Sequence, residues 1–172
     1  MKKVYSIGIG AVVVLALGLY FLLRNDSNKI AWVEVNKVYN EFDGKKELDA
    51  KFMKAESARK KIIDSLELDL KLIFNQLQIS PENKEKNILF ETKRSYFLNK
   101  KQELEEDSEN MQANYYEQIV NQINQYAKEY GIEKKYSVIL GANGEGAVMY
   151  AEEEINVTKD MITYINTKYK GL

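Results

Sequence analysis

The sequence has no cysteine and no histidine, and one proline in 172 residues. Without cysteine there is no disulfide, no thiolate metal site and no N-terminal cysteine to carry a lipid. Without histidine the usual general base and the commonest zinc ligand are missing. A single proline, Pro81, leaves room for long uninterrupted helices, because nothing else removes a backbone donor. Neither sign of charge dominates: 25 lysines and arginines meet 26 aspartates and glutamates. The basic stripe of a nucleic-acid binder is therefore lacking. No catalytic, metal-binding or cofactor-binding residue is expected from this set.

What is present begins with VYSIGIGAVVVLALGLYFLL, Val4 to Leu23, a run without a charge. At 1.5 Å per residue it would span roughly 30 Å, a bilayer core. Lys2 and Lys3 precede it, which orients the N-terminus to the cytoplasm. The expectation is a signal anchor over 4–23, with residues 1–3 cytoplasmic and a polar linker over 24–28. The alternative is a cleaved signal peptide, for which Ala16-Leu17-Gly18 is a weak internal site. Either way the remainder is exported.

Beyond the linker, Ile30–Val35 reads as a strand, since five of its six residues are apolar. Asn36 reads as the cap of a short helix, Lys37 to Phe42, ended by Asp43-Gly44. A long helix starts at Lys45. Ile63, Leu66, Leu70, Ile73 and Leu77 repeat at alternating steps of 3 and 4, a coiled-coil seam. Pro81 turns the chain, and a second helix runs from about Glu82 to Tyr130, closed by Gly131. In it Phe90, Phe97, Leu104 and Met111 recur every seven residues, but their companions Arg94, Lys101 and Ser108 are polar. The seam is therefore expected to be thin up to Tyr115. Tyr136–Leu140 and Ala147–Ala151 read as two more strands around the loop GANGEG, Gly141 to Gly146. Thr158 reads as the cap of a last helix, Lys159–Tyr169.

A strand cannot leave its backbone groups unpaired in a core. Ile30–Val35 must therefore pair with Tyr136–Leu140, Ala147–Ala151 or both, about a hundred residues later. The expected fold is α+β and mainly α. A small β body (29–44 and 131–172) carries a long antiparallel coiled-coil hairpin (45–130), preceded by one transmembrane helix.

IAWVEVNKVYNEF, YGIEKKYSVILGANGEGAVMYA and NVTKDMITYINTKY resemble the opening strand, the late strand–loop–strand and the closing helix of the Skp/OmpH family of periplasmic chaperones. The resemblance covers roughly residues 29–170, and over the arms it extends only to type. It implies a homotrimer whose arms enclose a cavity for unfolded outer-membrane proteins, with no enzymatic activity. The chain differs from the family pattern in its apparent anchor and in arms of balanced rather than basic charge. A bitopic coiled-coil scaffold in envelope assembly or division is the alternative function.

Candidate client contacts are the arm apolars Phe52, Met53, Phe90, Phe97, Leu104 and Met111, for which zipping the hairpin is the plainer role. Candidate body or oligomer core residues are Ile30, Trp32, Val33, Val138, Ile139 and Val148. Folding the hairpin at Pro81 sets Lys54, Arg59, Lys60 and Lys61 opposite Glu103, Glu105, Glu106 and Asp107. Opposite charges there would fix register where the seam is thin. GANGEG lacks the spacing of a phosphate-binding loop, and Asn156-Val157-Thr158 reads more simply as a cap than as a glycosylation site.

Overall fold

The computed structural model describes residues 29–171 except 145 and 147. The run Val4–Leu23 lies outside the described residues. Among the described residues no helix is long and apolar enough to cross a membrane. The elements run β1 (Lys29–Glu34), α1 (Val35–Glu41), α2 (Asp43–Ile79), α3 (Lys84–Lys134), β2 (Tyr136–Ala142), a 3₁₀ turn (Glu153–Ile155) and α4 (Thr158–Tyr169). The fold is mainly helical, with one small parallel sheet of two strands.

β1 pairs with β2 in register, Ala31 against Ile139 and Val33 against Gly141. Parallel strands need a long crossover, and here the crossover is the whole helical arm. The close pairing leaves no room at Gly141, where a Cβ would lie 2.7 Å from Val35 Cγ2. The other side of β1 meets the segment before α4: Val157 N donates to Trp32 O at 3.0 Å.

A third strand was expected over Ala147–Ala151; among the described residues, 148–151 form no strand. Met149 and Tyr150 project into solvent. Returning along β2 would set them beside Val138 and Leu140, which are themselves exposed. Within one chain such a strand buries too little to offset the entropy of ordering it.

α1 ends at Phe42, whose backbone is extended at φ −69° and ψ 124°. Gly44 was expected to stop this helix, but it lies inside α2. Its role is close approach: a Cβ there would come within 2.5 Å of the Phe42 ring. The break is bridged from α4, where Asn166 Nδ2 donates to Glu41 O at 3.0 Å and Asn166 Oδ1 accepts from Asp43 N at 2.8 Å. One amide thus satisfies the end of α1 and the start of α2. Asn36 is not a cap, since the first helix already begins at Val35.

At the tip, Asn83 Oδ1 caps α3 by accepting from Lys86 N at 3.0 Å. α3 continues through Gly131 to Lys134, and Lys135 stops it in the left-handed region at φ 59°. Gly131 is not the stop because its neighbours keep helical hydrogen bonding; the Lys135 N–H closes the last turn. Thr158 is not the cap of α4 but its first residue, with Val157 at the cap position. Asn156 Oδ1 accepts from Thr158 N at 2.9 Å, while Thr158 Oγ1 accepts from Glu34 N at 2.9 Å. The threonine ties α4 to the end of β1.

The core gathers Ala31, Val33, Val38, Phe42, Ile119, Tyr130, Val157, Met161, Ile162 and Ile165. It lies wholly in the body and the roots of the arm.

Candidate functional site

Two surfaces remain once the core is assigned: the arm, and the open side of the small sheet. The arm places its hydrophobic seam on α2 at Ile63, Leu66, Leu70, Ile73 and Leu77, all half-buried. Phe74 and Phe90 meet across the two helices near the tip, with ring centroids 6.0 Å apart.

In the middle of the arm the seam is filled by a cation. Arg59 is 9% exposed, and apart from Gly44 it is the buried residue of α2. Its Nη1 donates to Glu56 Oε1 at 2.7 Å, and its Nη2 donates across to Asp107 Oδ2 at 2.5 Å. Ser108 Oγ donates to the same Glu56 oxygen at 2.7 Å. Met111 Sδ lies 3.9 Å from both terminal nitrogens. The bond to Asp107 is the first cause of a raised Arg59 pKa, so the guanidinium is held charged. A charge this buried is tolerable because both flanking carboxylates and a hydroxyl complete its hydrogen bonding.

The expected belt of opposite charges therefore reduces to one pair. Among the described residues, Lys54, Lys60 and Lys61 make no ion pair and are exposed. Lys100 and Lys101 pair within α3 with Glu103 and Glu105, and Glu106 accepts from Gln102. Neighbours three or four apart on one helix meet more easily than partners across a supercoil. Lys93 and Asp69, 3.5 Å apart, add a second crossing pair nearer the tip.

Of the proposed client contacts, Phe52, Phe90, Phe97, Leu104 and Met111 are half-buried, and Met53 is 68% exposed. Phe52 lines a cleft of about 520 Å³ at the arm root with Tyr39, Tyr115, Tyr116 and Ile119. Lys45 Nζ stands 5.4 Å from the centre of the Tyr39 ring. Other exposed apolar side chains of the arm are Leu68, Leu72, Ile79 (85%) and Ile88 (69%). Leu68 and Leu72 are four residues apart, and Ile79 follows seven later. At about 3.6 residues per turn they share the face of α2 opposite its seam. Being out of phase with Ile63–Leu77 was the signal in the sequence.

In the body, Val33 is buried and Ile139 packs on the core. Ile30 and Val138 are exposed, and Val148 is half-buried. Trp32, expected in the core, is half-buried, because its indole Nε1 reaches out to donate to Glu152 O at 2.9 Å. Ile30, Trp32, Val138 and Leu140 share one face of the sheet and make it an apolar surface. Among the described residues no cluster of acidic side chains could hold a metal ion.

No curated protein matches this chain. A solved structure with the same fold is a candidate outer membrane chaperone (OmpH-like) from Caulobacter crescentus CB15, at 13% identity and a TM-score of 0.69. The likeness covers 81% of this chain and 85% of that one. The family described as outer membrane protein (OmpH-like) matches residues 29–165, from the first strand to within the last helix. With the first strand, the arm and most of the closing helix inside that match, the chain belongs to the OmpH-like family.

Proposed function

We propose that this protein is an ATP-independent holdase that binds unfolded outer-membrane or other envelope proteins in the periplasm and prevents their aggregation. The observation that carries this reading is the family match over residues 29–165. The arm supports it. A holdase needs weak, sequence-tolerant apolar contacts, and Leu68, Leu72, Ile79 and Ile88 are exposed without belonging to the seam. Val4–Leu23 holds the protein to the inner membrane, so the mature chain keeps its N-terminus and fractionates with membranes.

The body assembles as a homotrimer. Two strands, two short helices and the roots of the arm form a small core, and small cores are marginal alone. The exposed Ile30, Val138 and Leu140 would be covered by neighbouring copies. Val138→Asp is the sharper test of this, since Ile139 also packs inside its own chain. It should dissociate the trimer by sedimentation, with loss of the body's cooperative unfolding.

The function is tested by diluting an unfolded β-barrel protein from urea and following light scattering. The full chain should suppress aggregation without nucleotide. Serine at Leu68, Leu72 and Ile79 should weaken suppression while leaving the melting temperature unchanged. No suppression at several-fold excess would refute the reading.

A further inference from the structure

The sulfur of Met111 is unusual among the described methionines because a guanidinium faces it. Both terminal nitrogens of Arg59 lie 3.9 Å from Met111 Sδ, while their other hydrogens go to Glu56 and Asp107. A thioether is a weak acceptor, so two charged N–H groups are spent on a poor partner in the middle of the arm. Met111 is half-buried rather than sealed. Met53 and Met149 are 68% and 93% exposed with no such neighbour, and Met161 is 1% exposed in the body core.

We infer that Met111 is an oxidation site whose sulfoxide is held by Arg59, so that peroxide tightens the arm at the layer joining its two helices. The sulfur lone pair attacks one oxygen of hydrogen peroxide. The S–O bond forms, the O–O bond breaks, and the departing hydroxide takes the remaining proton as water. Sulfur loses two electrons and peroxide gains them. The new oxygen extends from sulfur by one covalent bond toward nitrogens already at 3.9 Å. That brings it within hydrogen-bond range of both. A sulfoxide in an apolar seam normally disrupts packing. Here the fork of N–H groups meets an oxygen acceptor in place of sulfur, and charge-assisted bonds to oxygen are the stronger kind. A methionine sulfoxide reductase would restore the thioether.

The test treats the full chain with hydrogen peroxide, maps sulfoxides by peptide mass spectrometry, and measures amide exchange over 54–61 and 104–112. Sulfoxide should form first at Met53 and Met149 without altering exchange in the arm. Sulfoxide at Met111 should then slow exchange in both segments by about threefold to tenfold, the scale of one net hydrogen bond. Arg59→Lys keeps the charge but loses the fork, and in it the same oxidation should speed exchange. Met111→Leu should make the arm indifferent to peroxide. The inference is overturned if Met111 stays unoxidised in the folded chain, or if its sulfoxide speeds exchange equally with arginine and with lysine at 59.

Discussion

Phe42 and Phe90 make similar aromatic contacts with unlike results. In the body the Phe42 ring meets Tyr169 at 5.2 Å and Tyr126 at 6.2 Å and has no exposed surface. In the arm Phe90 meets Phe74 at 6.0 Å and stays half-buried. The difference is geometric. Residues of α2, α3 and α4 converge on Phe42, whereas two helices alone flank Phe90, and water reaches every side chain of a pair from the back. The body can therefore derive its stability from apolar burial. The arm must add polar contacts to a shallow seam, and Arg59 with Glu56 and Asp107 is the place where it does so most deeply.

The largest effect should come from removing the convergence point. Phe42→Ala leaves a cavity among Gly44, Tyr126 and Tyr169 and should cost about 3–5 kcal/mol. In urea denaturation followed by circular dichroism, the body should lose its cooperative transition while much of the arm helix signal remains. A mild shift, with one transition retained, would mean that body and arm share one cooperative unit.

A second test uses a buried phenol. Tyr130 stacks on Tyr136 at 5.9 Å and meets Tyr164 edge-on at 5.2 Å. Burial, with Tyr136 and Asp160 adding to it, pushes its pKa up to about 12. A tyrosine whose pKa is raised on folding stabilises the fold fully below its unfolded value and loses that contribution as pH rises through the folded one. The body should therefore weaken between the ordinary tyrosine range and about pH 12, and Tyr130→Phe should blunt this alkaline loss. An arm fragment of the exchange map should show no comparable step.

How much of this was legible follows the same division. The seam from Ile63 to Leu77 could be read because a heptad is local, and so could the turn at Pro81. Its phase extends backward to Arg59, four residues before Ile63, so the buried arginine was in principle readable. It was hidden in KAESARKK, where composition suggests one solvated basic face and only phase separates Arg59 from Lys60 and Lys61. The Asn166 bridge was not readable, since it joins positions more than a hundred residues apart. The missing third strand shows the reverse. AVMYA has strand propensity, but propensity holds only where a pleated surface is half-buried, and one chain supplies no such cover for Met149 and Tyr150. Leu68, Leu72 and Ile79 were readable by the same phase, since they fall on the face opposite the seam.

A third test separates the crossing pair from the charges around it. Reversing Glu105, Glu106 and Asp107 to lysine together should loosen the hairpin. Asp107→Lys alone should reproduce most of that effect, since Glu105 and Glu106 bond within α3. Asp107 is itself well exposed, so the expected loss is about 1 kcal/mol. It should appear as faster amide exchange over 54–61 and 104–112, with 63–77 and 115–130 less affected. Salt should speed the same segments less than it would a belt of surface pairs, because the Arg59 end is shielded from screening. Equal effects from all three single reversals would show that net charge, not the Arg59 layer, sets the arm's register.

The smallest effect is expected at the seam between body and arm, where α4 clasps the first turns of α2. Lys170 and Lys46 both reach Asp43 at 2.8 Å, and the Tyr169 hydroxyl donates to Glu47. The bonds from Lys170 and then Lys46 lower the Asp43 pKa, and those from Tyr169 and then Lys51 lower that of Glu47. A carboxylate lowered on folding contributes its stability above the unfolded value and loses it as pH falls through the folded one. The clasp should hold at neutral pH and release only at and below the ordinary carboxylate range. Both groups face water, so the loss should be small and weakened by salt. Asp43→Asn with Glu47→Gln should flatten the acid side of the stability curve without moving the alkaline step of Tyr130. If the double variant leaves the acid side of the stability curve unchanged, the α4 clasp is not the acid-labile joint.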